Sequence, residues 1–335
     1  MLVDNACVFG SSKAIECGVD AFIKDVYQYA LMADFLESLG VSVRWQRALD
    51  IGGAEATIAR LLRGQGLAKH TTTIEIDDFS RSLSTLQFFR HYMKFRAATF
   101  LAKMSRSVRN FLVDGQPWRG KRLSRYSHDF GWIPPRGSRF WRLSLRSAPE
   151  VDDYRIGDVY DLKDQFDLIT AFSCIKWFDV DRLFAKVASL LVPGGTFFFL
   201  ADYWWFPVNS TFIVGHFPYV CQRLNEEDFE RYVRNFHSSE REDFLARYRS
   251  FHQGNLRPTL DDYVQAAHRA GLRMIGTRCL VPPRIEYGEP LPTPRFMNRQ
   301  DVSAMDDVLA DIRCFRSDVS RTDLTTSWVM GAFVK

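Results

Sequence analysis

Residues 21–39 carry apolar side chains at every third or fourth position. The positions that share one face are Phe22, Val26, Tyr29, Ala33 and Leu36. This spacing predicts an amphipathic helix, and Gly40, directly after it, is a common helix terminator. We expect this helix to pack as a cap ahead of the main fold.

Short apolar runs alternate with helical patterns through the rest of the chain. Strands are predicted at residues 47–53, 71–76, 166–172, 196–200, 272–281 and 327–334. Helices are predicted at residues 54–62, 180–191 and 258–270. Because crossover helices connect parallel strands, this alternation predicts a doubly wound α/β fold with a parallel sheet.

The segment 79–150 is strongly basic. It carries fifteen Lys and Arg residues against three acids, a charge of +12, which leaves −8 on the rest of a chain whose net charge is +4. Apolar residues in this segment recur at helical steps and predict one face of a long helix: Leu86, Phe89, Met93, Ala97, Phe100, Met104, Val108 and Phe111. The charge suits an anionic partner, namely a phosphate-bearing substrate, an RNA or an anionic membrane surface, and a solvated helix face is the alternative.

Composition places the chain among globular proteins, since 46% of its residues are apolar and 14% are aromatic. Six scattered cysteines without a Cys-x-x-Cys pair favour reduced thiols in the cytoplasm. The chain opens without a basic stretch followed by a long apolar run, and the apolar run at 196–201 is too short to span a bilayer. We therefore expect neither secretion nor a membrane span, and the absence of an acidic triplet at ligand spacing disfavours a divalent metal.

Glycines and acids follow the ends of the predicted strands. Asp50-Ile-Gly52-Gly53 ends the first strand, where glycine lets the backbone turn sharply and approach a ligand. Glu75 ends the second strand, where a carboxylate can accept hydrogen bonds from two ribose hydroxyls, and Asp77 is the alternative for that role. The carboxylate of Gly157-Asp158-Val159 can accept a hydrogen bond from the amino group of a purine.

Two further motifs complete this pattern. The strand at 166–172 runs into Ser173-Cys-Ile-Lys-Trp177, at the crevice where doubly wound sheets bind ligands. In this order and spacing, the motifs resemble those of class I S-adenosylmethionine-dependent methyltransferases. The resemblance covers about half of the chain and rests on Leu49-Asp-Ile-Gly52, Glu75, Gly157-Asp158, Phe166-Asp-Leu-Ile169 and Leu191-Val-Pro-Gly-Gly195.

The resemblance implies a mostly parallel seven-stranded sheet with an antiparallel last strand, and S-adenosylmethionine as the cofactor. The implied cofactor-binding residues are Asp50, Gly52, Gly53, Glu75, Asp77, Asp158, Val159 and Ser173. Asp50 and Gly52 would line the methionine part of the cofactor, Glu75 would hold the ribose, and Asp158 would face the adenine. Ala54 and Ala56 stand where the family has its later glycines, and alanine resists a positive φ.

Methyl transfer requires donor and acceptor to be held in line, and it needs a general base only where the acceptor must lose a proton. The candidate catalytic residues after the fourth and fifth strands are Lys176, Tyr203 and His216. His216 is the first choice for a base because imidazole titrates near neutral pH, although a lone histidine is more often structural. The run Tyr203-Trp-Trp-Phe-Pro207 is either a substrate wall or packing.

We expect an N-terminal helical cap (1–45) and a methyltransferase domain (46–335) that carries the basic insertion (79–150) and a substrate lid (203–257). The expected reaction is methyl transfer to an O or N atom of a small or carrier-linked metabolite that can bear a sugar or a phosphate. An RNA methyltransferase that uses the basic insertion and a non-catalytic binding module remain alternatives. An NAD-dependent dehydrogenase fits the closing strand and the Pro-Gly-Gly turn poorly.

Overall fold

A computed structural model describes most of the chain, in ten segments. These are residues 19–76, 84–103, 134–135, 137–145, 149–202, 219–252, 258–280, 285–287, 295–297 and 302–335. Most of the basic insertion and the segment 203–218 lie outside them.

Seven strands form one twisted sheet. They are β1 (Trp45–Ile51), β2 (Ala68–Glu75), β3 (Asp153–Ile156), β4 (Phe166–Phe172), β5 (Leu191–Asp202), β6 (Arg273–Leu280) and β9 (Trp328–Val334). Their order is β3-β2-β1-β4-β5-β9-β6. The first five strands run parallel, whereas β9 is antiparallel to both β5 and β6. The predicted fold class is therefore confirmed, including the antiparallel last strand.

The other elements connect and cover this sheet. The helices are α1 (Val19–Ser38), α2 (Thr57–Gly64), α3 (Thr85–Lys103), α4 (Arg139–Arg142), α5 (Val180–Leu190), α6 (Val220–Arg223), α7 (Glu226–Phe236), α8 (Arg241–His252), α9 (Leu260–Arg269), α10 (Val302–Arg313) and α11 (Arg321–Thr325). A two-stranded hairpin, β7 (Ile285–Tyr287) and β8 (Arg295–Met297), stands apart from the main sheet.

The sheet is buried on both faces, as its near-continuous apolar strands require. One core places α5, α9 and α10 against the sheet, with Phe184 packed edge-on against Phe197 at 5.3 Å between ring centroids. The other core places α1, α2, α3 and α4 on the opposite face, where α1 is buried on nearly all sides. Helices on both faces leave the edge formed by the carboxyl ends of the parallel strands as the place for a ligand.

Two sequence-based details are wrong. Helix α2 begins at Thr57 rather than at residue 54, because Ala54 and Ala56 take positive φ angles of 44° and 58° and belong to the turn. On α3, Leu86 and Met93 of the predicted apolar face are 60% and 52% exposed.

The buried face of α3 consists of Phe88, Tyr92, Phe95 and Thr99. Both sets of residues have helical spacing, so the periodicity alone allowed either face. Packing of Phe88 against Phe22 of α1, at 5.2 Å between ring centroids, accompanies the burial of the aromatic face.

Candidate cofactor site

The turn between β1 and α2 is strongly bent, because three of its residues have left-handed backbone angles. Gly52 has φ 66°, and Ala54 and Ala56 follow at 44° and 58°. Glycine adopts such angles freely, whereas an L-residue pays about 1–2 kcal/mol. The two alanines thus keep the glycine-like path of the turn at a conformational cost.

Two glycines of this turn are packed so closely that any side chain in their place would clash. A Cβ added to Gly52 would lie 2.6 Å from Cβ of Cys174, and one added to Gly53 would lie 2.4 Å from Oδ2 of Asp50. Both distances are well below van der Waals contact. The turn therefore requires glycine at both positions, as the strand-turn-helix pattern predicts.

The turn is held in place from the two neighbouring strands. The Ala54 N–H donates to Oε1 of Glu75 at 3.0 Å, and the hydroxyl of Tyr154 donates to the Ala54 carbonyl oxygen at 2.8 Å. Glu75 also accepts a hydrogen bond from the N–H of Ile76 at 3.0 Å. Sequence analysis did not single out Tyr154, whose role depends on the pairing of β3 with β2.

Asp50 is a buried acid with one oxygen left over. Its side chain is 1% exposed, and Oδ1 accepts a hydrogen bond from the Thr170 hydroxyl at 2.8 Å. Oδ2 has no hydrogen-bond partner among the described residues, and it lies against Gly53. Burial, with smaller contributions from the nearby acids Asp25 and Glu75, raises the pKa of the Asp50 carboxyl to about 8. A ligand ammonium would satisfy this oxygen and stabilise its charged form.

A second acid lies close to the turn. Burial raises the pKa of Asp25 on α1 to about 7, while the charge of Lys24 and a hydrogen bond from the Thr57 side chain act in the opposite direction. Glu55 is close enough to raise that pKa as well. The turn is therefore surrounded by carboxyl groups, which favours a cationic ligand group at this point.

The chain that follows β3 supplies two further predicted cofactor residues, Asp158 and Val159. Oδ1 of Asp158 accepts a hydrogen bond from the Tyr160 N–H at 3.0 Å and thereby caps a short 3-10 helix, while Val159 is buried in the core. Ile76 and Ile156 at the ends of β2 and β3 are 63% and 57% exposed. The edge next to Asp158 thus presents apolar surface, as the flat face of a purine requires.

On the other side of β1, Ser173 follows β4 with a left-handed φ of 59°. Gln28 of α1 donates from Nε2 to Oγ of Ser173 at 3.1 Å. Cys174 packs against Gly52, and burial raises the pKa of its thiol, which therefore stays protonated and donates to the Ile51 carbonyl at 3.1 Å. The structure places seven predicted cofactor residues at this edge: Asp50, Gly52, Gly53, Glu75, Asp158, Val159 and Ser173.

On the acceptor side, Lys176 and Asp202 form an ion pair between the ends of β4 and β5. Nζ of Lys176 also lies 5.5 Å from the ring centroid of Trp177, a residue that is 37% exposed. Oδ1 of Asp202 is buried and has no hydrogen-bond partner among the described residues. Asp77, Tyr203 and His216 lie outside the described residues.

Residues 138–199 match the family model described as a methyltransferase domain. They include β3, Asp158, β4 and Ser173, and the sheet that contains them has the strand order and the antiparallel strand described above. Over these residues the chain is similar to methyltransferase domains. S-adenosylmethionine is the cofactor that the sequence resemblance implies, and the unpaired oxygen of Asp50 fits the ammonium at its amino-acid end.

Several solved structures resemble the methyltransferase domain at low identity. Phosphoethanolamine N-methyltransferase 2 of Haemonchus contortus, in complex with S-adenosyl-L-methionine, has 15% identity and a TM-score of 0.45 over 100% of this chain and 60% of that chain. An S-adenosylmethionine-dependent methyltransferase from Mesorhizobium loti has 12% identity and a TM-score of 0.41 over 90% and 96%. The chain spans 60% of the length of the Haemonchus protein. A search of curated proteins returns no match.

The ten described segments contain neither a metal-ion cluster nor a membrane-spanning helix. No group of three or more His, Cys, Asp or Glu side chains there is arranged to hold a metal ion. None of the helices in those segments is both long and apolar enough to cross a bilayer.

Proposed function

We propose that this chain transfers the methyl group of S-adenosylmethionine to an O or N atom of a small or carrier-linked metabolite that can bear a sugar or a phosphate. The observation that carries the proposal is the buried Oδ2 of Asp50, which has no hydrogen-bond partner among the described residues and lies against Gly53 in the turn at the carboxyl edge of the sheet. Such an acceptor is costly to bury unless a ligand donor satisfies it.

Each residue of the site has a distinct part in this proposal. Asp50 accepts from the ammonium of the cofactor, and Glu75 accepts from the ribose hydroxyls while it holds the turn. Asp158 accepts from the adenine amino group beside the apolar edge of Ile76 and Ile156. When bound, S-adenosylmethionine supplies a methyl group made electrophilic by a sulfonium. The protein orients its two ends, which is the main requirement of an in-line displacement.

The residues that contact the methyl acceptor are assigned from their positions at the ends of the strands. Lys176 and Asp202 follow β4 and β5, next to the cofactor turn, and their ion pair orients the Asp202 carboxylate. In the proposal, this pair contacts the acceptor, and the candidate residues Tyr203 and His216 belong to the predicted substrate lid (203–257). The basic insertion (79–150) attracts an anionic acceptor. The scattered cysteines favour a cytoplasmic location, which is part of the proposal.

Calorimetric titration of the full chain with S-adenosylhomocysteine and with NAD tests the cofactor assignment. We expect S-adenosylhomocysteine to bind and NAD not to bind. Glu75→Ala should weaken S-adenosylhomocysteine binding by about tenfold to a hundredfold, because a hydrogen bond to a charged group contributes about 1.5–3 kcal/mol. Glu227→Ala, at an exposed acid of α7, is the matched control and should bind normally. Failure of the unmodified chain to bind S-adenosylhomocysteine would overturn the proposal.

The acceptor class is tested by incubating the chain with S-adenosylmethionine that carries a tritiated methyl group and with a fractionated cell extract. Label in the small-molecule fraction is expected. Label in a fraction that ribonuclease removes would instead identify an RNA methyltransferase. Cofactor binding with no labelled product in any fraction would support the non-catalytic alternative.

A further inference from the structure

Helix α1 brings two polar side chains to the end of β4. Lys24 and Gln28 are one helical turn apart and therefore project from the same side of the helix. Nε2 of Gln28, a residue 2% exposed, lies 3.1 Å from Oγ of Ser173, and Nζ of Lys24 lies 3.5 Å from the same oxygen. An ammonium, an amide and a hydroxyl thus meet at one point.

This polar cluster adjoins the cofactor turn. Cys174, the residue after Ser173, occupies the space that a side chain at Gly52 would need. Ser173 itself has a left-handed φ of 59°, which a non-glycine residue adopts only where its surroundings hold it. Backbone strain of this kind concentrates at ligand sites, and here it turns the hydroxyl towards α1.

The charge of Lys24 is not neutralised by an ion pair. Within the described segments, no carboxylate lies within ion-pair distance of its Nζ, whereas the corresponding group of Lys176 is paired with Asp202. The ammonium of Lys24 instead lies 5.3 Å from the ring centroid of Trp328, which is buried. An aromatic face attracts a cation but leaves its hydrogen-bond donors available.

A carboxyl group and an ammonium therefore border the same turn. The unpaired oxygen of Asp50 lies against Gly53, and the cluster of Lys24, Gln28 and Ser173 adjoins Gly52 through Cys174. A zwitterionic group, with an ammonium and a carboxylate on one carbon atom, matches this arrangement in both charge and hydrogen-bonding capacity.

We propose that Lys24, Gln28 and Ser173 form an anion subsite that binds a ligand carboxylate, so that α1 contributes to ligand specificity as well as to packing. The inference rests on the proposed function, because it presumes a ligand in the β1–α2 turn. The carboxylate belongs either to the amino-acid end of the cofactor or to the acceptor. Lys24 supplies the charge, Gln28 orients the Ser173 hydroxyl, and the hydroxyl donates to the anion.

Two cofactor analogues distinguish these sources. S-adenosylmethionine and its decarboxylated form share the adenosine, the sulfonium and the ammonium, and they differ in the carboxylate alone. Calorimetry should show that Lys24→Met weakens S-adenosylmethionine binding about tenfold and leaves binding of the decarboxylated form unchanged. Lys24→Arg should retain most of the affinity because it keeps the charge. Lys69→Met removes an exposed lysine at the opposite end of the sheet and is the matched control.

An acceptor carboxylate would give a different result. In that case Lys24→Met binds both cofactor forms as tightly as the unmodified chain does. Acetate then serves as the probe for the acceptor carboxylate. The unmodified chain saturated with S-adenosylhomocysteine binds acetate, and Lys24→Met does not. Unchanged binding of both cofactor forms together with unchanged acetate binding overturns the subsite. Circular dichroism melting of each variant identifies misfolding. Loss of S-adenosylhomocysteine binding by the unmodified chain contradicts the proposed function rather than this subsite.

Discussion

At the scale of single residues, Asp50 is notable because it is buried and one of its two carboxyl oxygens has no hydrogen-bond partner among the described residues. One oxygen accepts a hydrogen bond from Thr170, while the other lies against Gly53 without a partner among the described residues. The same residue type at a solvated strand end would have an ordinary pKa and little preference for a ligand. Burial of this oxygen destabilises the protein without ligand. A ligand that donates a hydrogen bond to the oxygen removes this destabilisation on binding.

This cost predicts a pH dependence of stability. The Asp50 carboxyl has a pKa of 3.8 in the unfolded chain and, because of burial, about 8 in the folded one. Between these values the folded state binds more protons than the unfolded state, so the free energy of unfolding falls as pH rises through this window. The titration of one carboxyl group changes the free energy of unfolding by up to about 1.4 kcal/mol per pH unit.

Asp50→Asn keeps the size of the side chain and removes its titration. Urea denaturation of the unliganded chain across this window should therefore show a shallower fall for Asp50→Asn than for the unmodified chain. Part of the fall should remain, since the pKa of Asp25 is also raised by burial, to about 7. Equal slopes in both proteins would mean that Asp50 is charged throughout.

At the scale of elements, the turn between β1 and α2 keeps its path although glycine is missing from two positions. The hydrogen bond that Ala54 donates to Glu75 and the one that it accepts from Tyr154 fix Ala54 on both sides, which explains how the turn tolerates a positive φ. The neighbouring strands, rather than the turn residues, thus determine its conformation. Sequence comparison with the glycine-rich family pattern could not reveal this, because the residues responsible lie on other strands.

Replacing these alanines with glycine should stabilise the protein. Ala54→Gly and Ala56→Gly each relieve left-handed strain of about 1–2 kcal/mol and lose about 0.4–1 kcal/mol to the greater entropy of the unfolded chain. The net gain in the free energy of unfolding is expected to reach about 1 kcal/mol per site, measured by urea denaturation. Ala188→Gly, the same change inside helix α5, should instead cost about 1 kcal/mol. Destabilisation at all three positions would show that the turn alanines are not strained.

At the scale of the whole molecule, charge is distributed very unevenly. The basic insertion (79–150) carries +12 against −8 on the rest of the chain, while the cofactor turn is bordered by carboxyl groups. A cationic cofactor group and an anionic acceptor would therefore be attracted to different parts of the protein. Long-range attraction of this kind is screened by salt, whereas a buried contact is much less affected.

Ionic strength should consequently separate the two ligands. Raising it from about 0.01 M to about 0.15 M shortens the screening length from about 30 Å to about 8 Å. The KM for the labelled acceptor should rise several-fold, while the affinity for S-adenosylhomocysteine changes little. Charge reversal of Arg119, Lys121 and Arg122, which lie outside the described residues, should raise that KM at low salt. If neither ionic strength nor charge reversal alters the KM for the acceptor, the basic insertion does not attract the acceptor and acts only as a structural cap.

Sequence patterns alone predicted six of the seven strands of the main sheet, the helices around it and the order of the glycine and acid motifs, whereas β3 (Asp153–Ile156) was not among the predicted strands. These features depend on local periodicity and on turn chemistry, so Phe166–Phe172 and the helix that begins at Val180 could be placed closely. From them followed the fold class and the proposed cofactor residues at the carboxyl edge of the sheet.

Only the tertiary structure decided which distant residues meet at that site. Gln28 is 145 positions from Ser173, and Tyr154 is 100 positions from Ala54. It also decided which of two helical faces of α3 is buried, a choice that the contact with α1 makes. Such contacts depend on how elements dock, and a periodic pattern specifies that an element has a buried face without specifying its partner.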